Sequence, residues 1–441
     1  MSAREVALCT LSAVEQKDAW ANGQLKKEIT KAKLDRRDAA LATRLCFGTL
    51  QNRILLDFYI ESFSTMKVRK MESKVRDNLR LALYQILFME RIPHNAAVNE
   101  AVNLTRKHCK NSRAAGMVNG ILRNVVRNID KLPSLQKKNA LDELSLRYSH
   151  PKWLVSEFLR YLPLEELEEL LSIHNSAAPT TIQINTCRFT EADLIASLQQ
   201  EGVVTRHPWL PDCLILEGTG NLEQLSAFET GAFYVQDPAA KLAVLAAVPK
   251  SGDRVLDVCG APGGKSFAAA IAMKNQGEIL SCDQYPHKKK LIEAGAQRLE
   301  LDCIKSFMLD ARQRQPEWED QFDLVIVDAP CSGLGVIRKK PEIRYKNPEQ
   351  MKGLPVLQRE ILNNTSAYVK PGGVLLYATC TLRQEENEDV IMAFLQEQHE
   401  FKLEGFWLPG PLEQVEQGMV TFWPHRLGTD GFFVAKLRRH V

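Results

Sequence analysis

From about residue 236 the chain repeats one rhythm: a short apolar run, a turn rich in glycine or ending in an acid, then a helical stretch. The apolar runs cover 254–258, 278–283, 305–309, 323–328 and 374–379. Strands separated by helices pair in parallel, because a parallel connection needs a crossover of about a dozen residues or more, and such crossovers share one hand. The segment therefore predicts a mostly parallel, doubly wound α/β sheet. Ligands of such sheets bind outside the carboxyl ends of the strands. Two more strand candidates, 419–423 and 432–437, follow near the end.

The rest of the chain reads differently. Residues 1–140 predict helices, as in Val118, Ile121, Leu122, Val125 and Ile129, which recur at the 3.6-residue helical period. Arg123 and Arg127 flank that stripe. Leu41, Leu45 and Leu50 mark a second helix, with Asp35 or Asp38 as its cap. A helix is expected to begin just after Pro93. The stretch 130–154 reads as a connector, with prolines at 133 and 151. Within 141–235, helical stretches surround strand candidates at 181–185 and 213–218, which predicts a small α+β domain. The third domain is then 236–441.

Charge divides along the same lines. Residues 1–150 hold 27 Lys and Arg against 15 Asp and Glu, whereas 151–441 hold 30 against 39. A basic module of this kind suits a phosphate backbone, where each neutralised phosphate releases counterions, or is an ordinary solvated helical surface. No apolar run reaches the roughly 18–20 residues that span a bilayer, and the first 20 residues have no signal-peptide core. The cytoplasm is the expected location, without a membrane partner. None of the ten cysteines forms a C-x-x-C pair, so no metal site is expected.

The strand ends carry the chemistry. After the first comes Cys259-Gly260-Ala261-Pro262-Gly263-Gly264-Lys265. Glycines there let the backbone turn tightly and approach a ligand. The spacing fits neither the dinucleotide fingerprint nor a phosphate-binding P-loop. Asp283 ends the second strand, where an acid can hold both hydroxyls of a ribose; alone, it is equally a turn aspartate. Asp310 and Asp328 end the next two. The fourth and fifth strands run into Asp328-Ala-Pro-Cys331 and Thr379-Cys380. A thiolate is strongly nucleophilic and can leave again, so it suits a reaction that makes and then breaks a covalent bond to its substrate. An acid and a base nearby would serve the proton transfers of such a reaction. Composition does not say which of the two cysteines attacks.

Family resemblance sharpens these readings. Residues 35–52 and 92–124 resemble the all-helical RNA-binding module of the NusB antitermination factor. DVCGAPGGK and FYVQDPAA resemble the RNA cytosine-5 methyltransferases, which have a Rossmann-like class I methyltransferase domain. The resemblance implies S-adenosylmethionine as cofactor, cradled by residues 259–265, with Asp283 at the ribose, Asp310 at the adenine and Asp328 near the methyl end. It makes Cys380 the nucleophile and Cys331 the residue that assists product release. Asp328 would contact the cytosine ring and Lys265 would help to polarise the site. The family usually has alanine where this chain has Gly260, a change expected to loosen the loop slightly. The basic segment 338–346 also resembles the family and suits an RNA backbone, unless it is simply an exposed loop.

The whole chain resembles the bacterial branch that modifies one cytosine of 16S ribosomal RNA, position 967 of that RNA. The implied partner is 16S ribosomal RNA, naked or in an early assembly intermediate, bound by a monomer. Three alternatives remain: another ribosomal or transfer RNA cytosine, a non-catalytic NusB-like RNA-binding factor, and a DNA cytosine methyltransferase. Thr379-Cys380 disfavours the last, and the intact Cys331, Cys380 and Asp283 count against the second.

Overall fold

The structure, a computed structural model, describes residues 1–17, 19–109, 111 and 113–440. It divides into two compact units, residues 1–176 with 337–346, and residues 177–336 with 347–441.

The first unit is helical: α1 (Ala3–Lys17), α2 (Ala21–Ala32), α3 (Arg36–Gln51), α4 (Arg53–Ser62), α5 (Ser73–Phe88), α6 (His94–His108), α7 (Ala114–Arg127), α8 (Ala140–Arg147), α9 (Lys152–Phe158) and α10 (Leu164–His174). Asp35 caps α3 by accepting the Asp38 N–H, and Pro93 precedes α6, as the sequence predicts. On α7, Val118, Ile121, Leu122 and Val125 are buried in the core of the unit. The connector reading of 130–154 needs correction: α8 forms there, capped by the Asn139 side chain on the Leu141 N–H, and buries Leu144 and Leu146. Eight residues are too few for the helical period to stand out between two prolines.

Segment 337–346 leaves the second unit's chain and packs with these helices. Arg344, fully buried, donates to the carbonyls of Gln51, Ser149 and His174 and to Asn175 Oδ1. Tyr345 donates its hydroxyl to the Leu50 carbonyl, and Glu342 accepts the Ala21 N–H. Arg344 is thus a structural anchor, and the expectation that the basic residues of 338–346 serve an RNA backbone does not extend to it.

The second unit opens with a four-stranded antiparallel sheet in the order β2 (Val204–Arg206), β3 (Cys213–Glu217), β1 (Thr180–Ile184), β4 (Phe233–Val235), with helices α11 (Glu191–Gln200) and α12 (Ser226–Glu229). Two of these strands, β2 and β4, have three residues each, too short to show an alternating pattern in sequence.

An eight-stranded sheet follows. Its strands are β5 (Arg254–Asp257), β6 (Glu278–Asp283), β7 (Ile304–Met308), β8 (Phe322–Asp328), β9 (Val369–Thr379), β10 (Phe401–Leu403), β13 (Met419–Phe422) and β14 (Phe432–Arg439). A separate hairpin pairs β11 (Phe406–Leu408) with β12 (Glu413–Val415). The sheet order is β10-β14-β9-β8-β5-β6-β7, with β13 on β14. Strands β5 to β9 are parallel, and β14 runs antiparallel to β9. Alternate residues bury into opposite faces: Val255, Leu324, Ile326 and Leu376 into one core, Leu256, Val325, Val327 and Leu375 into the other. Helices α13 (Pro238–Ala247), α14 (Gly264–Ala272) and α15 (Pro286–Leu299) contribute to the first core, α16 (Leu354–Ser366) and α17 (Glu388–Glu397) to the second. A short helix, α18 (Pro424–Leu427), precedes β14. Among the described residues, no helix is long and apolar enough to cross a membrane.

Candidate active site

The chain order reverses direction between β5 and β8, the point at whose carboxyl ends ligands of such sheets bind. The glycine turn lies after β5, and Asp328 and Cys331 lie at and beyond the end of β8. Asp283 and Asp310 follow along β6 and β7, and Cys380 follows β9. The sequence-predicted residues therefore line one edge of one sheet.

The turn runs from Cys259 to Gly263 and enters α14 at Gly264. Gly263 has φ +114°, and a Cβ there would lie 2.2 Å from the Phe267 ring, so only glycine fits. Its N–H bonds to the Gly260 carbonyl at 2.7 Å, and the Gly260 N–H to the Cys282 carbonyl at 2.7 Å. A Cβ on Gly260 would meet Ser281 Oγ at 2.4 Å. Behind the turn, Ser266 Oγ donates to the fully buried Asp257 at 2.7 Å, and Ser281 Oγ lies 2.7 Å from Ser266 Oγ. Burial pushes the Asp257 carboxyl up to about 7, against the pull of Ser266 and Lys265. Burial likewise pushes the Cys259 thiol up, so that residue is a packing element rather than a nucleophile. Ala261 is partly exposed and Pro262 exposed, on the crest of the turn.

A carboxylate offers about four lone-pair sites. Asp283, nearly buried, uses two of them, for the Tyr285 N–H at 3.1 Å and Lys288 Nζ at 3.3 Å. Two remain, the number a ribose diol needs. Asp310 is more occupied: the Arg312 side chain binds both its oxygens, at 2.9 and 2.6 Å, and the Arg312 N–H adds a third bond at 3.1 Å. That guanidinium holds the Asp310 carboxyl below its ordinary value, and about one site is left for an amino group. With a glycine turn that side chains would fill and a half-free acid at the next strand, the residues fit a nucleoside cofactor with an extended tail.

At the chemical end, Lys265 Nζ lies 2.5 Å from Asp328 Oδ2 and 4.8 Å from the centre of the Phe432 ring. Cys331 Sγ and Cys380 Sγ lie 3.2 Å apart, both half-buried. The neighbouring Cys380 sulfur, then burial, then the charges of Glu386 and Asp328 push the Cys331 thiol well above its ordinary value.

Sequence reasoning missed what holds the two sulfurs together. Glu386, fully buried, accepts the N–H of Ser332, the residue after Cys331, at 2.8 Å, and the Gln358 amide at 3.1 Å. The Gln358 amide also reaches the Pro330 carbonyl. Ser332 Oγ lies 2.7 Å from Thr381 Oγ1, and the Gly335 N–H donates to the Cys380 carbonyl at 2.9 Å. A Cβ on Gly335 would meet the Gly431 carbonyl oxygen at 1.9 Å, so glycine alone allows that approach. A glutamate in the acidic run Gln384-Glu-Glu-Asn-Glu-Asp389 carries no sign in sequence that it is buried.

An open sheet of this order, with a glycine turn after its first strand and acids at the next ends, defines a class I methyltransferase domain. Family models agree in each part of the chain. Residues 244–438 match 16S rRNA methyltransferase RsmB/F, residues 1–127 match the NusB family, and residues 150–223 match an RsmF/B-like ferredoxin-like domain. The chain is 37% identical to the probable ribosomal RNA small subunit methyltransferase B of Bacillus subtilis, over 99% of both chains. It is 34% identical to the ribosomal RNA small subunit methyltransferase B of Vibrio cholerae, over 91% of this chain and 90% of that one. The crystal structure of PH0851 superposes with a TM-score of 0.83 at 27% identity, covering 100% of this chain and 99% of the other. The chain belongs to the RsmB/F family of 16S rRNA methyltransferases.

Proposed function

We propose that the protein transfers a methyl group from S-adenosylmethionine to carbon 5 of a cytosine in 16S ribosomal RNA, position 967 by family resemblance, through a covalent bond between Cys380 and carbon 6. The observation that carries this reading is the pair of sulfurs 3.2 Å apart at the ends of adjacent strands, beside the glycine turn. S-adenosylmethionine supplies an electrophilic methyl group on a sulfonium. Its fit is supported by the turn 259–265 and the two open lone pairs of Asp283.

Cys380 adds to carbon 6 as the thiolate. Cys331 stays a thiol, because the adjacent sulfur and the buried charges oppose its ionisation. Its S–H stabilises the Cys380 thiolate before attack. Lys265, paired with Asp328, brings a proton donor and a cation to the side of the site where negative charge develops on the ring. With the methyl group on carbon 5, the carbon 5 proton passes to a base, the bond from carbon 6 to Cys380 breaks, and the Cys331 thiol receives the departing sulfur as a hydrogen-bond donor.

The test is a denaturing gel. Cys331→Ala and Cys380→Ala variants are incubated with 16S RNA and cofactor. Cys331→Ala should trap an RNA–protein adduct and Cys380→Ala should form none. The reverse pattern would overturn the assignment of roles, and no methyl transfer by the wild type to naked RNA or to small-subunit assembly intermediates would overturn the substrate.

A further inference from the structure

The helical unit presents an aromatic and basic stripe that the active site does not use. Trp20, immediately before α2, is 51% exposed. Residues 20, 23, 27 and 31 are spaced three, four and four apart, so Trp20, Gly23, Lys27 and Lys31 share one face of α2. All four are exposed, whereas Ala21, Leu25 and Glu28 bury the opposite face. Gly23 has nothing within 4 Å of where a Cβ would stand. The helix's one acid, Glu28, is buried and accepts from Gln24. The stripe is about 16 Å long at 1.5 Å per residue.

A distant segment adds to the same spot. Arg344, Tyr345 and Glu342 pin residues 337–346 to the helices, and this brings Lys340 Nζ to 5.2 Å and Lys346 Nζ to 4.8 Å from the centre of the Trp20 ring. An exposed indole with two ammonium groups over its ring, continuing into two more lysines along the helix, matches what an unpaired nucleic acid strand requires. A base stacks on the ring while phosphates meet the ammonium groups.

We infer that the Trp20–Lys27–Lys31 face, with Lys340 and Lys346, binds an unpaired segment of the substrate RNA, a contact in the helical unit additional to the catalytic site. This rests on the RNA-methylation reading for its ligand but not for its test. Full-length wild type, Trp20→Ala, Trp20→Phe and the double variant Lys27→Gln/Lys31→Gln are compared for filter binding of labelled oligouridylate and of an RNA hairpin of equal length. Trp20→Ala should bind oligouridylate about tenfold more weakly and Trp20→Phe close to wild type, since base–aromatic stacking contributes about 1–3 kcal/mol. The double lysine variant should reduce the slope of log affinity against log salt by about 1.4, at about 0.7 per phosphate contact on a single strand. In methyl transfer, the KM for RNA should rise while kcat and the KM for cofactor hold.

Equal binding of oligouridylate by wild type and Trp20→Ala overturns the inference and leaves the proposed reaction standing. A wild type that binds oligouridylate through this face but methylates no RNA overturns the reaction and leaves the face. Should Trp20→Ala fail to fold, as judged by its melting curve, the exposed Lys27 and Lys31 variants decide through the salt slope, and an unchanged slope counts against the inference.

Discussion

The carboxylate of Glu386 takes the backbone N–H of Ser332 at 2.8 Å, and through it the loops of Cys331 and Cys380 are tied to one buried group. Ser332 directly follows Cys331, and Glu386 lies six residues beyond Cys380 on the other loop. Gln358 from α16 and Arg383 complete its partners. The 3.2 Å approach of the two sulfurs is therefore held by bonds outside the sulfurs themselves.

Glu386→Ala should leave the Ser332 N–H, the Gln358 amide and Arg383 without their buried acceptor, at a cost of about 3 kcal/mol. Methyl transfer should fall by roughly a hundredfold, the scale of a displacement of about 1 Å at reacting groups. Glu386→Gln retains an acceptor oxygen but removes the charge that opposes ionisation of Cys331, so Cys331 should alkylate faster with iodoacetamide at a given pH in a Cys380→Ala background. Thermal melts and alkylation rates check both. Wild-type values in Glu386→Ala would remove Glu386 from this role.

Gly260 and Ser281 form a second matched pair. The methyl group of Gly260→Ala would press on Ser281 Oγ at 2.4 Å and break the Ser281–Ser266–Asp257 chain of hydrogen bonds. The single change should cost about 1–3 kcal/mol, as overpacking does, and weaken cofactor binding. Ser281→Ala added to it should recover most of the loss, because it removes the hydroxyl that the new methyl group would press on. Calorimetric melts and cofactor titrations of the two single variants and the double measure the coupling. Strict additivity would show that the pair does not interact.

Much of this site was legible in sequence because its residues sit at the ends of strands buried on both faces. The run 324–327 is apolar throughout, so Asp328 stands out where it ends, as does the glycine turn that follows 254–258. The short strands β2, β4, β10, β11 and β12 have three residues each, and three residues carry no period. Glu386 and Arg344 were hidden for another reason. A charged residue is read as solvated by default, and only the surrounding fold reveals that one braces the cysteine loops and the other anchors a segment to helices far away in sequence.

The acid behind the glycine turn should give the fold a recognisable pH dependence. Asp257 titrates near its ordinary 3.8 when unfolded and at about 7 when folded, mainly because burial disfavours its charged form. The folded state then binds this proton more tightly, so the contribution of Asp257 to stability is fullest below about pH 4 and is lost as pH rises through 7. Three pH units at 1.36 kcal/mol each put the upper limit at about 4 kcal/mol. Asp257→Asn, which keeps an acceptor for Ser266, should flatten stability against pH across that window. Denaturant unfolding of wild type and variant from pH 4 to 7 compares the slopes, and parallel curves would dispose of the assignment.

Arg344 is buried among oxygen acceptors, with no carboxylate bonded to it among the described residues, and burial lowers its guanidinium to about 10. Two effects oppose each other in Arg344→Met. Removing a buried cation relieves a desolvation cost, while the carbonyls of Gln51, Ser149 and His174 and the Asn175 amide oxygen lose their donor. That cost is already offset in the wild type by four hydrogen bonds, and four buried acceptors at about 1 kcal/mol each outweigh the relief. The helical unit should lose about 3 kcal/mol, and Arg344→Lys should not restore it, because one ammonium group cannot span the four acceptors of a planar fork. Segment 337–346 should also come loose, so trypsin should cut after Arg338 and Lys339 several times faster than in the wild type. An unchanged cleavage rate would mean that Tyr345 and Glu342 hold the segment without Arg344.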